Sequence, residues 1–268
     1  MGEHTTRYTH GHEQPTLASH ATRTAASSAA YLLPLLSPGM QVLDVGCGPG
    51  TITLDLAALV APGRVIGIDR VEAPLVAARA AAAQRGDTVT EFRTGDVLAL
   101  PYDDDSFDVV HAHQVLQHLR DPVAALREMA RVCRPGGWVA ARDADYAAMS
   151  WHPELPGLED WRRVYRAAAL ANGAQPDAAR HLRAWAAAAG LDDARLSASV
   201  WTYADDDACR WWGSSQADRV SGDVFASQAA EQGLDAADVE RLADAWLTWG
   251  TAPDAWFTIV HGELLARP

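Results

Sequence analysis

From residue 41 the chain alternates short apolar runs with longer segments whose apolar residues recur every three or four positions. The runs "QVLDV" (41–45), "RVIGID" (64–69), "VTEFRTGD", "SFDVVHA" (106–112) and "WVAARDA" (138–144) predict five strands. Between them, "TITLDLAALV" (51–60) and the alanine-rich stretch around "APLVAARAAAAQR" carry helical spacing. A third helix is signalled by Asp121 as its cap, Pro122 at its first position and Val123, Leu126, Met129 and Ala130 on one face, with "RPGG" ending it. Strands alternating with helices predict an α/β fold with a doubly wound parallel sheet. Ahead of it, residues 16–36 form a helix-compatible stretch interrupted near its end by Pro34. After residue 150 helical segments dominate (157–173, 176–190, 206–232 and 235–249). A strand at 194–204 and the closing "AWFTIVHGELLA" complete that half. The pattern divides the chain into an N-terminal segment (1–36), a ligand-binding core (37–150) and a C-terminal half (151–268) that completes the sheet and carries extra helices at about 205–250.

Composition narrows the function classes. The chain has 268 residues, 49% apolar and 21% charged, enough for a substantial core. No apolar run approaches the length of a membrane span, and the first residues lack the apolar core of a signal peptide, so a cytoplasmic protein without a membrane partner is expected. The net charge of −13, with arginine as the sole strong base and no basic run, argues against a nucleic-acid partner. Cys47, Cys133 and Cys209 are too scattered for a disulfide framework or a zinc pair, and no metal site is expected.

The chemistry is concentrated in "DVGCGPGT" (44–51), a glycine turn between the first strand and its helix. Bare backbone at a helix N-terminus suits a polar ligand. The order Gly46-Cys47-Gly48-Pro49-Gly50-Thr51 is G-x-G-x-G, so it departs from the dinucleotide fingerprint, and no G-K-[ST] makes it a P-loop. Asp69 ends the second strand nineteen residues beyond Gly50, where a carboxylate can accept from both hydroxyls of a ribose, and Asp96 ends the third. This ordered set, with "VLDVGCGPGT", "VIGID", "TGDVLALPYDDDSFDVVHA" and "LREMARVCRPGGWVA", resembles the class I S-adenosylmethionine-dependent methyltransferases over roughly residues 37–145. Within them it is most similar to the ubiquinone/menaquinone-type branch that methylates small molecules.

The resemblance implies a seven-stranded Rossmann-like sheet with its last strand antiparallel, an N-terminal helical lid, and S-adenosylmethionine as cofactor. It also implies roles for matching positions. Gly46, Cys47, Gly48 and Gly50 would admit the methionine part, Asp44 would lie near its amino group, and Asp69 with Arg70 would meet the ribose. Asp96 with the Val97 N–H would meet the adenine, His111 would lie on the cofactor side, and Tyr8 would reach the cofactor from the lid. Cys47 itself reads as a packing residue, since no histidine follows it locally to act as a base.

In-line methyl transfer needs an aligned acceptor, excluded water and, for some acceptors, a base. His113 at the tip of the fourth strand, Asp143 and Tyr146 at the rim of the fifth, and His12 of the N-terminal segment (with His10 beside it) are the candidates for acceptor contact or proton removal. Nine of the ten tryptophans follow position 150, so the helices at 205–250 are expected to set acceptor specificity. The expected partner is a small organic acceptor, quinone-like or a specialised metabolite, and a homodimer through the N-terminal helix or the insertion is an open expectation. An NAD(P)-dependent oxidoreductase and a cofactor-binding module without catalysis are the alternatives.

Overall fold

The computed structural model describes residues 22–268. Its strands are β1 (Gln41–Val45), β2 (Arg64–Asp69), β3 (Glu91–Thr94), β4 (Phe107–His113), β5 (Cys133–Ala144), β6 (Ser150–His152), β7 (Arg195–Tyr203) and β8 (Trp256–Ala266). Its helices are α1 (Ala25–Ser28), α2 (Thr51–Val60), α3 (Glu72–Arg85), α4 (Pro122–Val132), α5 (Pro156–Ala171), α6 (Leu182–Ala189), α7 (Asp206–Ser221), α8 (Asp223–Ala230) and α9 (Ala236–Gly250).

β3, β2, β1, β4 and β5 run side by side and parallel. β8 then pairs antiparallel with β5 and, along nearly its whole length, with β7. The expected last antiparallel strand is present, but among the described residues the sheet has eight strands rather than seven. The addition is β6, which pairs with Trp256–Thr258 beyond the end of β5.

Alternation along the strands gives the sheet two different faces. Leu43, Val45, Ile66, Ile68, Val110 and Val139 join the side covered by α4 and α6. Val42, Val65, Val109 and Ala140 lie on the other side, with α2 and the segment Ala25–Leu32 over them. A third, aromatic core holds Trp161, Trp212, Trp246, Trp249 and Phe257 among α5, α7, α8, α9 and β8. Within it α7 and α9 approach through glycine, since a Cβ at Gly213 would stand 2.6 Å from the Trp246 carbonyl oxygen.

Three expectations shift. The stretch at 16–36 is helical only over α1 and a 3-10 turn at Leu33–Leu35 within its described part. There Thr24 and Ser27 cap one another, and the Ser27 hydroxyl donates to the Thr24 carbonyl at 3.1 Å, local bonds that compete with helix propagation. Gly222, in extended conformation, splits the stretch at 206–232 into α7 and α8. The buried stripe of α4 is Ala125, Leu126, Met129 and Val132, so Val123 stands at its edge. Its cap is as read, with the Asp121 carboxylate accepting from the Ala124 N–H at 2.8 Å. Among the described residues no helix is long and apolar enough to cross a membrane.

Candidate active site

The C-terminal ends of the parallel strands carry the site. In the turn after β1, Gly46, Gly48 and Gly50 have φ of +66°, +53° and +77°, a region that favours glycine. Their surroundings differ. A Cβ at Gly46 would collide with Val115 Cγ2, and one at Gly50 would stand 2.8 Å from Ala78 Cβ and 2.9 Å from Phe92. At Gly48 a Cβ would meet no described residue within 4 Å. Two of the glycines thus let the turn pack, and the third leaves backbone that no described side chain covers.

Asp69 stands beside that backbone. It is half-buried, and its Oδ2 accepts from the Gly48 N–H at 3.0 Å while Oδ1 accepts from the Val71 N–H at 3.2 Å. Arg70 beside it is exposed. Gly95, next to Asp96, donates its N–H to the Asp69 carbonyl at 2.9 Å, which joins the β2 and β3 ends. Asp96 is exposed and accepts from the Leu98 N–H at 2.9 Å, whereas Val97 is buried.

Asp44 lies behind the turn rather than on its open side. It is buried, its Oδ2 accepts from the Thr53 hydroxyl at 2.6 Å, and its Oδ1 faces His111 Nδ1 at 2.7 Å. This pairing follows from register, since Asp44 and His111 are direct partners across β1 and β4. The pair ties the turn to α2 and β4. Cys47 packs beside them, its thiol pushed well up by burial and by the Asp44 and Asp69 charges, which suits a packing residue and not a nucleophile.

His113 shares the face of His111 two residues on and is the register partner of Arg142. It is buried, and both ring nitrogens are without a hydrogen-bond partner among the described residues. Burial, with Arg23, Arg142, His261 and His111 nearby, holds its pKa well below the ordinary imidazole value, so the ring is neutral. Its ring centroid lies 5.7 Å from Trp201 and 6.3 Å from His261.

Sequence reasoning missed Gln114, Arg142 and His261, and reached Trp201 only as one of several tryptophans that could line an acceptor pocket. Gln114 has φ of +54°, strained for a residue with a side chain. Its N–H donates to the Arg142 carbonyl at 2.6 Å, and its Nε2 donates to His261 Nε2 at 2.8 Å. His261 in turn gives its Nδ1 proton to the Ile259 carbonyl at 3.1 Å, a fully satisfied neutral tautomer. The one available signal was alternation: His261 and Glu263 in the closing strand fall two apart on one face, as His111 and His113 do.

The two rim candidates of β5 lie elsewhere. Asp143 is fully buried on the face opposite Arg142, where its Oδ1 accepts from the Gln117 N–H at 3.0 Å and burial pushes its pKa up to about 7. Tyr146 is buried against Tyr165, 4.3 Å between ring centroids, in the aromatic core. Of the tryptophans, Trp246 and Trp249 are wholly buried, whereas Trp211 and Trp256 are exposed. Tyr8, His10 and His12 lie outside the described residues. Among the described residues no group of three or more His, Cys, Asp or Glu side chains could hold a metal ion.

The bare backbone at Gly48, with Asp69 beside it and Asp96 one strand further on, fits a ligand that pairs a polar chain with a ribose and a base. Comparison with known proteins decides the family. Residues 36–198 match the model of a methyltransferase domain. An uncharacterized methyltransferase of Schizosaccharomyces pombe is 33% identical over 271 residues, covering 97% of this chain and 96% of that protein. The chain belongs to the S-adenosylmethionine-dependent methyltransferases. A ubiquinone/menaquinone biosynthesis C-methyltransferase of Bdellovibrio bacteriovorus is 43% identical over 101 residues, 38% of this chain and 43% of that protein. The solved structure of a putative methyltransferase from Bacillus halodurans shares the fold, with a TM-score of 0.58 at 21% identity over 89% of this chain and 97% of that one. Family membership displaces the NAD(P)-dependent alternative.

Proposed function

We propose that this methyltransferase acts on a small organic acceptor, quinone-like or a specialised metabolite, bound beyond the C-terminal ends of β4, β5 and β7. S-adenosylmethionine supplies the methyl group as a sulfonium. Gly46, Gly48 and Gly50 would hold its methionine part, Asp69 and Arg70 its ribose, and Asp96 with the Val97 N–H its adenine. Asp44 and His111 serve as positioning residues that fix the turn. The helices α7 to α9, with their aromatic core, would shape the acceptor's apolar surroundings.

The observation that carries this reading is a buried, neutral His113 whose two ring nitrogens have no hydrogen-bond partner among the described residues, on the strand next to the glycine turn. A polar ring left unpaired in the interior costs free energy unless a ligand meets it. His113 is therefore the acceptor's polar contact, while Asp143 and Tyr146 support the walls. His113→Ala is expected to lower turnover about tenfold or more and leave S-adenosylhomocysteine affinity within about twofold. Because its pKa is held well below the ordinary value, the wild-type rate should show no inflection near pH 6.5. An inflection there that vanished in the variant would make His113 a titrating base instead.

The reading itself is tested by calorimetric titration with S-adenosylmethionine, S-adenosylhomocysteine and NADH, followed by turnover on a panel of hydroquinones, phenols and amines. Binding of the adenosyl compounds with methylation of one panel member supports it. Cofactor binding with no small acceptor methylated would remove the small-molecule assignment.

A further inference from the structure

Beside His113 the sheet face carries a concentration of positive charge. Arg142 is 1% exposed, and its Nε and Nη2 donate to the Ser199 hydroxyl at 3.1 and 3.0 Å. Its only carboxylate partner among the described residues is Glu263 at 3.6 Å, and Glu263 also accepts from the Ser197 hydroxyl at 2.6 Å. Nη1 has no partner among the described residues. The Tyr31 hydroxyl, on the segment over this face, is buried and likewise without a hydrogen-bond partner among them, and Arg142 is its strongest charged neighbour.

Trp201 sits at the centre. The Arg142 guanidinium lies 4.9 Å from its ring centroid and that of Arg23 5.4 Å. Its Nε1 donates to the Ser27 carbonyl at 2.9 Å, which fixes the N-terminal segment over β7. Arg219 of α7 and Arg23 both act electrostatically on Tyr146 and Tyr203. The negative groups nearby are accounted for. Glu263 faces Arg142, Asp44 is bonded to His111 and Thr53, and Asp143 points to the opposite face of the sheet. Both imidazoles of the cluster are neutral, so nothing there takes up a proton readily.

Two buried donors left over, Nη1 of Arg142 and the Tyr31 hydroxyl, beside a guanidinium-flanked indole, suit an anionic oxygen attached to a π-system. We propose that the acceptor is an aromatic or conjugated molecule with an acidic hydroxyl, bound as its anion, with the oxygen at Nη1 of Arg142 and the ring beside Trp201 and His113. This rests on the methyl-transfer reading above and names its acceptor class. The hydroxyl proton leaves to solvent on binding, so no side chain has to remove it during transfer. The anion's electron pair forms the new bond to the methyl carbon as the sulfur–methyl bond breaks, and its pair remains on sulfur. Where the nucleophile is a ring carbon conjugated with the oxygen, that carbon afterwards releases its own proton to solvent, and the electron pair of the broken C–H bond restores the ring.

The test uses 4-nitrophenol, whose anion alone absorbs in the visible, against 4-nitroanisole, its uncharged ether. Both are titrated into the full chain saturated with S-adenosylhomocysteine, whose own binding is measured by calorimetry. The nitrophenol pKa should fall by about one unit or more on binding, and the anion should bind about tenfold or more tightly than the ether. Arg142→Gln should abolish both effects with S-adenosylhomocysteine affinity within about twofold. Tyr31→Phe, which removes only a hydroxyl, should weaken the anion about threefold or more and leave the ether unchanged. No binding of the probe, an unshifted pKa, or equal affinity for the two compounds overturns the proposal. Failure of S-adenosylhomocysteine itself to bind would instead strike the methyl-transfer reading.

Discussion

Asp69→Ala is expected to weaken S-adenosylhomocysteine binding about 100-fold, the largest effect of any single substitution in the cofactor cradle. The carboxylate already accepts from the Gly48 and Val71 N–H groups, so its position is fixed before any ligand arrives. Each charge-assisted bond to a ribose hydroxyl contributes about 1.5–3 kcal/mol, and two of them reach the ~2.7 kcal/mol of a 100-fold change. Alanine also frees Gly48 from its anchor, which adds turn mobility to the loss. Asp69→Asn keeps one accepting oxygen and should fall between the two. Calorimetry on the three proteins settles the point: an alanine variant that binds as tightly as wild type would take the ribose away from Asp69.

The grouping of the glycine turn with the two strand-end carboxylates was legible because it is local. Three glycines within five residues, a carboxylate ending the next strand and another ending the third are each written in a short segment, and the fold sets them side by side. The parallel, doubly wound character of the sheet was legible for the same reason, from apolar runs alternating with segments of helical spacing. What the sequence concealed depends on register between distant strands. Asp44 meets His111 across 67 residues, and Trp201 reaches Ser27 across 174. No spacing rule joins Arg142, Glu263 and Ser199, which meet only because β8 runs antiparallel between β5 and β7. The three-residue β6 is too short to show a period. The tryptophans illustrate the same limit: composition marked the C-terminal half as aromatic, but only packing separates the buried Trp246 from the exposed Trp211.

Asp143→Asn is expected to change how stability depends on pH. Burial raises the Asp143 pKa to about 7, against the pull of the Gln117 and Leu116 N–H groups and of Arg142. Unfolded, the carboxyl returns to its ordinary value of 3.8. Between those values the native state holds a proton that the unfolded chain lacks, so this group's contribution declines as pH rises and is gone above about 7. Integrated from pH 5 to pH 8, the loss is roughly 2–3 kcal/mol. His113 and His261 act in the opposite sense. Their pKa values are depressed, so the unfolded chain takes up protons that the native state does not, and stability falls as pH drops below their ordinary value. Asparagine removes only the first dependence. Urea unfolding of both proteins at pH 5, 6.5 and 8 should therefore show the variant gaining on wild type by roughly 2–3 kcal/mol between the extremes. A difference that stayed constant with pH would mean that Asp143 ionises as an ordinary surface carboxyl. The consequence reaches the site, because Asp143 holds the Gln117 N–H in the turn that follows His113 and Gln114. Loss of its proton as pH rises past about 7 leaves a buried negative charge behind that turn, partly offset by the Gln117 and Leu116 N–H groups and by Arg142.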